Sequence, residues 1–118
     1  MTDLEMTKLC SEAMGLTIAG SWDQRQGLFC TNNHGIEHVL YHPLHDDAQA
    51  MALVKKVGLE IIALHYSISR KRHSEDWTEA DMRHRWSVSH VDGGNVFSKN
   101  LNRAIVECVA KMRARKKA

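Results

Sequence analysis

The sequence predicts an α+β domain. About three helices pack with a small antiparallel sheet, in the order α-β-(β)-α-β-β-α. Three observations carry this expectation. Apolar residues recur at helical spacing near both ends of the chain. A proline-marked, acidic helix entry stands at residues 41–51, and the segments between run apolar or alternate as short strands do. With 118 residues, 43% hydrophobic and 25% charged, the chain is sized for one domain over residues 1–118 with one modest core. One proline and seven glycines are too few for a linker-rich chain.

Each element has a local reason. Thr2 and Glu5 have capping-box spacing and open a helix over 3–14, with Leu4, Met6, Leu9, Cys10 and Ala13 as apolar positions and Gly15 as the stop. Leu16 to Ala19 is a short strand candidate ended by Gly20. Ser21 to Asn33 reads as irregular or as one more short strand. Asn32-Asn33-His34-Gly35 signals a turn, and Ile36 to Tyr41 a strand leading to Pro43. A second helix runs from Asp46 to Val57. Acidic residues suit its start and Lys55 and Lys56 its end, Gly58 stops it, and Ala48, Met51, Ala52 and the stem of Lys55 form its apolar stripe.

Leu59 to Ile68 is the strongest strand, apolar on both faces as for a central position. Ser69 to Met82 is charged and reads as an exposed insert. Arg83 to Val91 alternates, with Trp86, Val88 and His90 on one face and Trp86 in the core, and Asp92-Gly93-Gly94-Asn95 turns the chain. A third helix spans Lys99 to Arg113, capped by Ser98. Its stripe is Leu101, Ala104, Ile105, Cys108, Val109 and Met112, and a frayed basic tail follows at 113–118.

Composition narrows the classes of function. No segment approaches the ~18 apolar residues of a membrane span. The acidic start Met1 to Glu5 lacks the apolar run of a secretion signal. Three cysteines cannot all pair, so Cys10, Cys30 and Cys108 are expected as reduced thiols in a cytoplasm, with Cys10 and Cys108 as small core residues. Residues 1–59 carry four basic and seven acidic side chains, a net of −3. Residues 60–118 carry twelve and seven, a net of +5. That polarity is too weak to define a nucleic-acid binder.

No motif places a nucleophile beside a base, and no phosphate loop or zinc spacing occurs. The chain is therefore expected to be no enzyme and to use no cofactor. Eight histidines are many for this length. Cys30, His34, His38, His42 and His45 fall at intervals of four, four, four and three, but Gly35, Ile36, Val39 and Pro43 break the helix that would align them for zinc. They are expected as surface or hydrogen-bonded residues, and no metal is assigned. Arg70, Lys71 and Arg72 with Trp77 form the expected partner-binding set, because a tryptophan among charges suits an interface anchor. His65 and His84 are candidate ligand or phosphate contacts. Arg113, Arg115, Lys116 and Lys117 suit a negative helix end.

Four segments resemble the phage ABA sandwich domain family, small accessory proteins of tailed phages and prophages. Leu9-Cys10-Ser11-Glu12-Ala13-Met14-Gly15-Leu16 is similar to its opening helix. Tyr41-His42-Pro43-Leu44-His45-Asp46-Asp47-Ala48-Gln49-Ala50 is similar to its aromatic-x-Pro-x-x-Asp-x-Ala helix entry. Arg85-Trp86-Ser87-Val88 resembles its late strand, and Leu101-Asn102-Arg103-Ala104-Ile105-Val106 its closing helix. Trp22 to Glu37 and Ser69 to Met82 depart from the pattern. The resemblance implies helices on a small antiparallel sheet, with the first and third adjacent, and supplies no catalytic residues. The function expected is that of a phage accessory protein that binds and inhibits a bacterial host protein, a defence component, in the host cytoplasm, which fits the small size, the absent catalytic motif and the exposed insert. The alternatives are an oligomeric sponge for a host signalling nucleotide and a nucleic-acid-binding factor. A homodimer is compatible with each.

Overall fold

The computed structural model describes residues 1–32, 37–63 and 85–117. Its elements are α1 (Asp3–Ala13), β1 (Thr17–Asp23), β2 (Gly27–Thr31), β3 (His38–Tyr41), α2 (Asp47–Val57), β4 (Leu59–Ala63), β5 (Trp86–His90), β6 (Asn95–Ser98) and α3 (Leu101–Lys117). The α+β class and the order of helices and strands agree with the sequence. The strands form two antiparallel three-stranded sheets, β1-β2-β3 and β4-β5-β6. Among the described residues, a helix followed by three antiparallel strands thus occurs twice before α3 closes the core.

The caps form where the residue types allow them. Thr2 and Glu5 make the reciprocal capping box of α1. Asp46 caps α2 by accepting from the Gln49 amide, and Gly58 ends it at φ 79°. In α3 the cap is Asn100, not Ser98. The Asn100 Oδ1 accepts from the Arg103 amide at 3.0 Å, and Ser98 Oγ accepts from the Asn100 amide instead. The helix also continues past Arg113 to Lys117. Lys117 Nζ stands 2.8 Å from Glu12 Oε1, and Arg113 reaches the same carboxylate, which holds the turn expected to fray.

Other expectations change for physical reasons. β1 does not stop at Gly20 but runs through it to Asp23. Its register against β2 shifts between Ile18 and Trp22, and a Cβ on Gly20 would lie 2.9 Å from the Phe29 ring. The glycine therefore permits a bulge under an aromatic side chain. β4 is not central among the described residues; β5 is, with β4 beside it. Ile61 of β4 faces Val88 and the core, whereas Ile62 is exposed. Trp86 is half-buried, and Val88 takes the core position on β5. The stripe of α2 is also rotated from the expected one. Ala50 and Leu53 are buried and Val54 and Val57 pack beside them, while Ala48, Met51 and Lys55 are exposed. The i, i+3, i+4, i+7 series with the larger aliphatic side chains wins. β6, which the sequence reading passes over, is a four-residue strand with Val96 alone buried.

The core gathers Met6 and Cys10 of α1, Leu28 and Cys30 of β2, Leu53 of α2, Val88 of β5 and six residues of α3, Ala104 to Val106 and Cys108 to Ala110. Each fully buried Leu, Ile or Val here is worth about 1.5–3 kcal/mol. α1 and α3 pack together as expected. They run in the same direction. Asp3 pairs with Arg103 at the start, Cys10 Sγ donates to the Val106 carbonyl, and Glu12 meets Arg113 and Lys117 at the end.

Candidate functional site

Arg70, Lys71, Arg72, Trp77, His65 and His84 lie outside the described residues, as does the charged stretch 69–82. The strands that flank them are described. Ala63, the last residue of β4, pairs with Trp86, the first of β5. The next cross-strand row is Ile62, Ser87 and Phe97. It lies on the face opposite Ile61, Val88 and Val96, so it points away from the core. Ile62 is 41% and Phe97 37% exposed, and Ser87 Oγ donates to Asn95 Oδ1 at 2.8 Å on the same face. The first sheet has a comparable outer row. Phe29 pairs with Leu40, which is 49% exposed, and the Phe29 ring stacks on His38 at 5.0 Å and 13°. Both sheets therefore carry a Phe and a branched aliphatic residue on the face turned from the core. The alternation Ile62/Ile61 and Leu40/Val39 was the available signal, and an apolar run hides it.

The basic tail is partly used by the fold. Arg113 and Lys117 pair with Glu12, and Arg115 donates to the Gly93 carbonyl at 3.2 Å. Lys117 and Arg113 beside Glu12 hold its carboxyl below the usual range. Two open depressions accompany these elements. One of 540 Å³ lies between Asp47 and Met51 of α2 and Lys99 to Asn102. One of 280 Å³ is lined by Asp92, Met112, Arg115 and Lys116.

The thiols are free and buried. Burial pushes Cys10 up to about 12 and raises Cys30 and Cys108 as well. Tyr41 is raised by burial, with Cys10 and Cys30 nearby adding to the effect. None of these groups is poised as a nucleophile, which would need a lowered pKa.

The histidines divide sharply. His90 is a structural residue: its Nε2 bonds the Val57 carbonyl at 3.1 Å, and its Nδ1 accepts from the Asp92 amide. His42 is 4% exposed and sits in the turn between β3 and α2. Its Nε2 lies 2.8 Å from the Gln24 carbonyl oxygen, and its ring meets Trp22 at 5.1 Å and His45 at 4.2 Å. The His42 Nδ1 is buried without a hydrogen-bond partner, a situation that costs about 1–3 kcal/mol. His34 falls outside the described residues. No three His, Cys, Asp or Glu side chains converge as metal ligands among those described. No helix among the described residues is long and apolar enough to cross a membrane.

The chain matches no protein-family model, no curated protein and no solved structure. The phage resemblance rests on the motifs quoted above.

Proposed function

We propose that this chain is a non-enzymatic phage or prophage accessory protein that binds and blocks a bacterial host protein, a component of antiphage defence, in the host cytoplasm. The observation that carries the reading is the topology where β4 ends and β5 begins. In the chain, the stretch containing Arg70, Lys71, Arg72 and Trp77 follows Ala63 and precedes Trp86, two paired residues next to a cross-strand row in which Ile62 and Phe97 are exposed and Ser87 between them is buried. Exposed apolar side chains on the strands flanking a stretch whose sequence holds tryptophan and arginine have the composition of a protein interface. The described depressions are open and lack converging catalytic groups, which favours surface recognition over turnover.

The test is capture of tagged protein with its companions from bacterial lysate, identifying both proteins and small molecules, followed by affinity measurement on the purified pair. Trp77→Ala is expected to weaken the complex at least tenfold with an unchanged thermal midpoint. Unchanged affinity would refute the assigned interface. A co-purified nucleotide with no stoichiometric protein would overturn the reading in favour of the sponge. Binding that collapses steeply with salt would point to nucleic acid.

A further inference from the structure

We propose that His42 and His45 form a two-imidazole site for a borderline divalent transition ion of the zinc, nickel or copper class. The tautomer of His42 is set by its neighbour. A carbonyl oxygen only accepts, so the His42 nitrogen 2.8 Å from the Gln24 carbonyl must be the donor. Neutral His42 then carries its hydrogen on Nε2 and presents a bare lone pair at Nδ1. That lone pair is buried and has no hydrogen-bond partner. An imidazole whose far N–H is fixed by a backbone carbonyl is oriented as metal-bound histidines are.

The second ligand is adjacent. The His45 ring lies 4.2 Å from His42, inclined at 65°. Two imidazoles on neighbouring positions of one ion, each about 2.0–2.1 Å from it, hold their ring centroids roughly 4.5–5 Å apart. The observed separation is within about half an ångström of that range, and the exposed His45 ring is not held by packing on its outer side. The turn between them is rigid: the amides of His45 and Asp46 both donate to the His42 carbonyl, at 3.0 and 2.9 Å, and Pro43 between them is fully buried. The His42 amide is held in turn by Gln49 Oε1 at 2.6 Å.

Nitrogen donors without a carboxylate select borderline ions over magnesium or calcium. With two protein ligands, water fills the remaining positions, so the ion is exchangeable.

The experiment uses the full chain without an affinity tag. Nitrogen-15 spectra of the metal-free protein should show His42 as the Nε2–H tautomer. One equivalent of Ni²⁺ should broaden signals centred on residues 42–45 and 22–24, and Mg²⁺ should leave them unchanged. His45→Ala, which removes an exposed side chain, should weaken Ni²⁺ binding at least tenfold while leaving the circular dichroism unchanged. The Nδ1–H tautomer at His42, absence of Ni²⁺ binding, broadening centred on other histidines, or wild-type affinity in His45→Ala would each overturn the proposal.

Discussion

Gly27 and Gly93 offer a matched pair of substitutions that separates backbone strain from steric clash. Both have strongly positive φ, 100° and 104°. An alanine in such a conformation costs about 1–2 kcal/mol at either position. The surroundings differ. A Cβ on Gly93 meets nothing within 4 Å, whereas one on Gly27 would lie 2.5 Å from the Tyr41 carbonyl oxygen and 2.6 Å from the His42 Cβ. Neither obstacle is the free end of a side chain, so β2 and β3 must move apart next to the Leu28–Tyr41 pair. Overpacking of that kind costs about 1–3 kcal/mol. Gly93→Ala should therefore lose about 1–2 kcal/mol and Gly27→Ala roughly 2–5 kcal/mol, a large share of a domain's stability. Urea unfolding followed by tryptophan fluorescence measures both, with the slope as a check on the unfolded state. If Gly27→Ala proves no more damaging than Gly93→Ala, the close approach of β2 to the residue 41–42 backbone is wrong.

Two further outcomes follow from the charges and thiols. Glu12 has its carboxyl lowered by Lys117 and Arg113, so the unfolded chain binds the extra proton. The pairing contribution is fully present above the unfolded carboxylate value of about 4.3 and is lost as pH falls through the lower folded value. With a third of the side chain exposed, Glu12→Gln should cost only about 0.5–1 kcal/mol at pH 7 and approach zero at an acid pH that protonates the folded carboxyl. Equal losses at both pH values would remove the ion pairs from the account. The buried thiols should react with a disulfide reagent at pH 8 on the order of a thousandfold more slowly in the native protein than in denaturant, where all three titrate. Rapid labelling of any one in the native state would contradict its burial.

The sequence made some parts of this fold legible and concealed others. Caps and stops written in side-chain chemistry were readable: Thr2 with Glu5, Asp46, Gly58 and the stripe of α3 all stand where their residue types demand. Faces of short elements were not. In α2 both Ala48–Met51–Ala52 and Ala50–Leu53–Val54–Val57 have helical spacing, and only packing against α3 chooses the second. Gly20 reads as a strand end because a bulge needs the same residue as a stop. The turn at Pro43 was visible, but the bare Nδ1 of His42 was not, since it depends on Gln24 arriving from the β1–β2 turn eighteen residues earlier. The position of β4 beside β5, rather than at the centre, among the described residues depends on pairings that no local pattern encodes.

The alliance of α1 with α3 also sets a timetable. Asp3 waits for Arg103, Cys10 for the Val106 carbonyl and Glu12 for Lys117, separations of 100, 96 and 105 residues. At about 5–20 residues per second on a ribosome, α1 spends roughly 5–20 s outside the exit tunnel without the surface that covers it. During that interval Met6 and Cys10, sealed in the finished molecule, face the cell. The nascent chain thus carries α1 with its core face uncovered until α3 follows, and a chaperone that shields one apolar helix face would find its target there.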